Sequence, residues 1–134
     1  MSLAGAIAGM LMDESLVDLA IEEPEWTQAL PGLEDDIATG ARLALDAAGL
    51  GPEGWAISVL ACSDDRIAGL NRDFRGREGP TNVLSWPALD LAPPRPGAAP
   101  GRPRRGGAGG RQPLGDVAIA LQTARREAAE RSIP

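Results

Sequence analysis

The chain has 134 residues, 43% of them apolar, and a formal net charge of −6. That suits one small domain with its own core and excludes wholesale disorder. The acidity also excludes non-specific nucleic-acid binding driven by net charge, because phosphates are repelled at long range.

The charge is unevenly spread. Residues 1–54 hold eleven acids against one arginine, Arg42, whereas residues 55–134 hold eight acids against twelve arginines. All thirteen basic residues are arginine, which together with abundant Ala, Gly and Pro marks the composition of a GC-rich genome. Aromatic side chains are scarce (three Trp, one Phe, no Tyr), so Leu, Ile, Val and Ala must build the core. A single cysteine, Cys62, allows no internal disulfide and fits a reducing, cytoplasmic compartment.

The first twelve residues, MSLAGAIAGMLM, lack a basic flank and are too short to span a membrane. They read as a mis-annotated extension preceding a single domain over 13–134, with Met10 or Met12 as alternative starts. Leu16–Glu22 alternates as a strand, closed by Glu23-Pro24. Glu34–Leu50 reads as a helix with Ile37, Ala41, Ala44, Leu45 and Ala48 inward and its acids in the first turn. Trp55–Ala61 is an apolar strand. Ser63 then caps a helix over Asp64–Phe74, with Ile67, Leu70 and Phe74 on its inner face. Short strands follow at Asn82–Trp86 and Leu114–Leu121, and a last helix at Gln122–Ser132.

Between those two strands lies Pro87–Pro113, holding seven prolines and five arginines (Arg95, Arg102, Arg104, Arg105 and Arg111). Such a stretch suits neither a helix nor a central strand. It reads either as a flexible insertion or as a basic tether that orders on phosphates. The element order implies an α/β (α+β) fold, a small mixed sheet of about four strands covered by helices.

Arg75 and Arg77 lie between a helix end and the Gly79-Pro80 turn. An arginine fixed there offers a bidentate fork for phosphate, or serves as a partner of the helix dipole or a surface carboxylate. Asn82 and Ser85 suit backbone capping at strand ends as well as substrate contact. Asp116, after Gly115, suits a turn equally.

The run LNRDFRGREGPTNVLSWP from Leu70 to Pro87, followed by LGDVAIAL from Leu114, resembles the bacterial YbeY family. The resemblance extends from about Leu16 to the C-terminus and implies that family's mixed-sheet fold. It also implies a metal-dependent single-strand endoribonuclease of 16S ribosomal RNA 3′-end maturation, working in the cytoplasm with the ribosome or small-subunit proteins. By the same resemblance Arg75 falls on the catalytic, phosphate-holding arginine of the active cleft. Arg77, Asn82, Ser85 and Asp116 fall on substrate-binding motif positions.

The family's zinc is held by three histidines in a motif of the form HGxLHLxGYDH, and this chain has no histidine. Cys62 reads as a buried small hydrophobe. The pairs Glu22-Glu23, Asp35-Asp36 and Asp64-Asp65 are neighbours that point apart. No metal site and no zinc are therefore expected, and the chain reads as ending before the metal helix, itself inactive. Loss of that helix is expected to uncover the sheet around Val117, Ile119 and Leu121. The alternative is a non-catalytic RNA- or ribosome-binding module of the same fold.

Overall fold

The structure is a computed structural model that describes residues 16–104 and 110–132. The proposed extension over 1–12 and the loop residue Arg105 lie outside these. In chain order the elements are β1 (Val17–Ile21), α1 (Glu25–Ala29), α2 (Leu33–Ala47), β2 (Trp55–Cys62), α3 (Asp64–Arg75), β3 (Val83–Pro87), β4 (Gln112–Ala120) and α4 (Leu121–Glu130). The strands form one sheet in the order β1-β2-β4-β3. β1, β2 and β4 run parallel, and β3 runs antiparallel to β4. The mixed four-stranded α/β sheet expected from the element order is thus present.

Two differences from the expected elements have physical reasons. β4 begins at Gln112 and so takes in Pro113, within the stretch expected to hold no strand. Pro113 pairs with Ala56 on one side, and β3 reaches only to Gly115 on the other, so the missing N–H costs no ladder bond there. The short helix α1 was not expected. Pro24, with φ −60° and ψ −24°, opens it instead of merely stopping β1. Five residues are too few to show a helical period. Its reason for existing is Trp26, 4% exposed, whose Nε1 donates to the Cys62 carbonyl at 2.8 Å.

The period-2 alternation of β2 builds two cores. Trp55 and Val59 join Val17 of β1, Val117 and Ile119 of β4, and Ile37, Ala41 and Leu45 of α2 on one face. Leu60 and Cys62 join Leu84, Ala118 and Ala120 on the other, under Ile67 and Leu70 of α3. Trp26, Leu33, Ala61 and Leu121 close one end. Ala44 of α2 and Ala48 just past its end, both expected inside, are exposed. Val117 and Ile119 lie under α2 and Leu121 is 1% exposed, so the face expected to be uncovered is the covered one. Phe74, expected on the inner face of α3, is 66% exposed and meets Trp86 edge-on, with ring centroids 5.8 Å apart.

α3 has the cap its sequence implies: the Ser63 hydroxyl accepts from the Arg66 amide at 3.2 Å. It ends at Gly76, whose left-handed φ of 64° lets the Gly76 and Arg77 amides bond back to the Arg72 and Asn71 carbonyls.

A second glycine fixes how closely β3 approaches β4. Gly115 has φ 151°, and a Cβ there would meet the Trp86 carbonyl oxygen at 2.4 Å. Because both atoms belong to paired backbone, neither can yield without opening the ladder. Gly115→Ala is expected to lose about 2 kcal/mol or more of stability. Denaturant melts check this, and an unchanged midpoint would refute the close-approach argument.

Candidate nucleic-acid interface

The sheet register assembles a site on the face that α3 only partly covers. Asp18 pairs with Ser58, Ser58 with Asp116, and Asp116 with Trp86, giving one row across all four strands. These side chains floor a groove of about 630 Å³, walled by Leu70 and Phe74 of α3. A smaller cleft of about 400 Å³ continues past the same row to Arg111, whose Nη2 lies 3.5 Å from Asp18 Oδ2. Asp18 and Asp116 stand two strands apart, roughly 10 Å between backbones. The groove is therefore largely apolar, with Asp18, Ser58 and Asp116 as a polar row across its floor.

The sequence-predicted residues divide around this groove. Asp116 is on its floor. Arg75 is the last residue of α3, next to the groove-lining Phe74; Arg77 follows the Gly76 cap. Both are exposed, and neither guanidinium has a hydrogen bond or ion pair among the described residues. Ser85 pairs with Val117, so alternation turns it to the opposite face from Trp86 and Asp116. Asn82 lies elsewhere: its Nδ2 donates to Glu127 Oε2 at 3.1 Å, and its carbonyl accepts from the Ala120 amide. It borders a separate cleft of about 310 Å³ between β3 and α4. The structure thus puts Asp116 on the groove floor, leaves Asn82 and Ser85 out of it, and places Arg75 and Arg77 next in the chain to its wall residue Phe74 without making them part of its lining.

Asp18, Ser58, Phe74 and Trp86 were not singled out from the sequence as site residues. A signal was present: LVDLAI, WAISVLA and LGDVAIA each carry one polar residue inside an apolar strand. Only pairing shows that the three align.

Two arginines of the long loop are spent on the domain itself. Arg102 Nη2 donates to the Gly49 carbonyl at 3.1 Å, and Arg111 pairs with Asp18. The Gly101 amide also bonds to the Leu91 carbonyl at 2.9 Å. Arg95 and Arg104 are exposed without side-chain partners among the described residues.

A three-histidine zinc site has no counterpart in these residues. Among the described residues no three Cys, Asp or Glu side chains converge closely enough to hold an ion. Cys62 is fully buried and its Sγ donates to the Ile119 carbonyl at 3.4 Å. The donor set does not fit the metal.

An α/β domain with an open groove, and two exposed arginines at the end of the helix that walls it, defines a broad class of protein. Comparison with known proteins narrows this. The profile of the family Endoribonuclease YbeY matches residues 23–133. The chain is similar to the endoribonuclease YbeY of Ruegeria pomeroyi, with 51% identity over 114 residues, covering 84% of this chain and 65% of that protein. It is similar to that of Cereibacter sphaeroides at 45% identity, covering 90% of this chain and 71% of the relative. For Dinoroseobacter shibae the figures are 45%, 88% and 64%. The chain belongs to the YbeY family. It spans about two thirds of the length of these curated relatives. No helix among the described residues is long and apolar enough to cross a membrane.

Burial pushes the Cys62 thiol above its ordinary value of 9.0, and the Glu22 charge adds to the shift. The unfolded thiol therefore ionises first, and the native state loses stability as pH rises past its ordinary pKa. Iodoacetamide at pH 8 should leave the native thiol unmodified and label it promptly in denaturant. Above pH 9 stability should fall, less so in Cys62→Ala. Rapid labelling of the folded protein would refute its burial.

Proposed function

We propose that this chain is the RNA-gripping part of a single-strand endoribonuclease that acts in ribosomal RNA maturation, with rRNA and the small ribosomal subunit as partners in the cytoplasm. Arg75 is the phosphate-holding residue, Arg77 assists it, and Asp116 faces the bound strand. The reading is carried by the family match over residues 23–133, in which the arginine run RGREGPTNVLS falls. The exposed, unpaired state of Arg75 and Arg77 supports it, because a guanidinium held free at a helix end is available for bidentate phosphate contact.

A sequence without histidine and without a three-donor cluster among its described residues favours binding without cutting for these 134 residues. Hydrolysis is assigned to none of the described side chains. This is also where the second reading, a non-catalytic RNA-binding module, draws its support.

The direct test incubates the purified chain with labelled single-stranded RNA and zinc, with and without a chelator. Expected are binding, no cleavage, and no stoichiometric zinc retained after dialysis. Chelator-sensitive cleavage would overturn the division of labour.

A salt series then tests the grip. Arg75→Ala and Arg77→Ala should each weaken RNA affinity and lower the slope of log K against log salt by about 1 or less. Arg75→Lys should keep that slope yet bind more weakly, since a point charge cannot make two parallel hydrogen bonds. Parental affinity for Arg75→Lys would mean that the residue acts as charge alone. Parental affinity and slope in Arg75→Ala would remove it from the site.

A further inference from the structure

We propose that the groove holds one nucleobase of the bound strand, stacked on the Phe74–Trp86 pair and read by the carboxylate of Asp116, with preference for bases that carry an amino group. This rests on the RNA-binding reading above and adds to it a subsite and a specificity.

The reason begins with an oddity of placement. Phe74 is the chain's one phenylalanine, its position fits the inner face of α3, and yet it is 66% exposed. Its ring is held against Trp86 edge-on, at 77° between planes, so the two rings present surfaces at right angles to each other. An exposed aromatic corner beside an open groove offers apolar ring surface that a flat partner can bury. Nucleobases are such partners, and stacking on aromatic side chains is how single strands are commonly gripped.

The polar partner is fixed by the sheet. Asp116 stands directly opposite Trp86 in the β3–β4 register. Directly opposed side chains on one face lie roughly 5 Å apart at Cβ, so a ring resting on Trp86 presents its edge to Asp116. The Asp116 carboxylate is exposed and has no side-chain hydrogen bond among the described residues. An ionised carboxylate only accepts. It suits the amino groups of cytosine, adenine and guanine, and it suits uracil poorly, whose single N–H lies between two repelling carbonyls. Charge complementarity is supplied next door: Arg75 follows Phe74 directly and Arg77 lies two residues beyond it, so the phosphates flanking a seated base meet free guanidinium groups.

The test uses the 134-residue chain and three fluorescein-labelled RNA hexamers of equal phosphate count: oligocytidine, oligouridine and an abasic strand. Anisotropy titrations should rank oligocytidine tightest, above the abasic strand by about tenfold, with oligouridine between them. Phe74→Ala should erase the advantage over the abasic strand, and Phe74→Tyr should retain it. As Phe74 is exposed, neither change threatens the core. Asp116→Asn should keep the advantage of bases over none and lose the preference for cytidine over uridine. Equal affinity for oligocytidine and the abasic strand overturns the stacking subsite while leaving phosphate binding standing. A cytidine preference undiminished in Asp116→Asn overturns the role of the carboxylate. Binding of none of the hexamers overturns the RNA reading itself, and this subsite with it.

Discussion

The carboxylate of Asp64 ties two helices together, and the groove depends on that tie. β2 and β4 run parallel in register to their ends, Cys62 opposite Ala120, so α3 and α4 start side by side. Two helix N-termini so placed bring two partial positive charges together, which is unfavourable without an anion between them. Asp64 supplies it. Its Oδ1 accepts from the Thr123 amide at 2.9 Å and its Oδ2 from the Thr123 hydroxyl at 2.8 Å. Gln122 Oε1 accepts in return from the Asp64 amide at 2.8 Å. Each helix caps the other, with Thr123 only 4% exposed. A helix anchored there must run back across the sheet face, and its last turn delivers Phe74 to the groove that holds the row of Asp18, Ser58 and Asp116.

The two faces of the sheet meet different fates because of those three residues. Under α2 the strands offer an unbroken apolar surface, and a long helix closes over it. On the other face the apolar patch stops at Leu60 and Ala118, and α3 covers that much. Extending cover over the polar row would bury carboxylates, at a cost a helix of ordinary apolar residues cannot offset. Among the described residues the groove is thus left open at the row of Asp18, Ser58 and Asp116.

Much of this was legible in the sequence. Every strand and the three longer helices follow from periodicity, the Ser63 cap and the glycine stops, since those signals are local. Arg75 and Asp116 were legible as candidates through the YbeY resemblance, and the family match accords with that resemblance. What escaped was non-local. Helical spacing placed Phe74 on the inner face of α3 but could not say that the covered patch ends before it. Asn82 and Ser85 sit in the same short strand region as Trp86, and pairing with β4 alone decides which side each one faces. The loop arginines read as one basic stretch, whereas Arg102 and Arg111 are engaged by Gly49 and Asp18, far away in the chain. α1 exists for a single buried tryptophan, too little to leave a pattern.

The charge distribution constrains how such a site can work. The protein carries a net charge of −6, and the acidic first turn of α2 lies on the side of the sheet away from the groove. Beyond roughly one Debye length, about 8 Å at physiological salt, that charge is screened. The field that draws a strand in from a distance is therefore weak, and two free arginines cannot replace it. What remains to the proposed site is short-range: forked phosphate contacts from Arg75 and Arg77, stacking on the ring pair and one carboxylate at a base edge. A site of the proposed kind would bind slowly and selectively, because groups that act only at contact distance discriminate among strands already delivered to them. Delivery then falls to whatever holds the strand nearby.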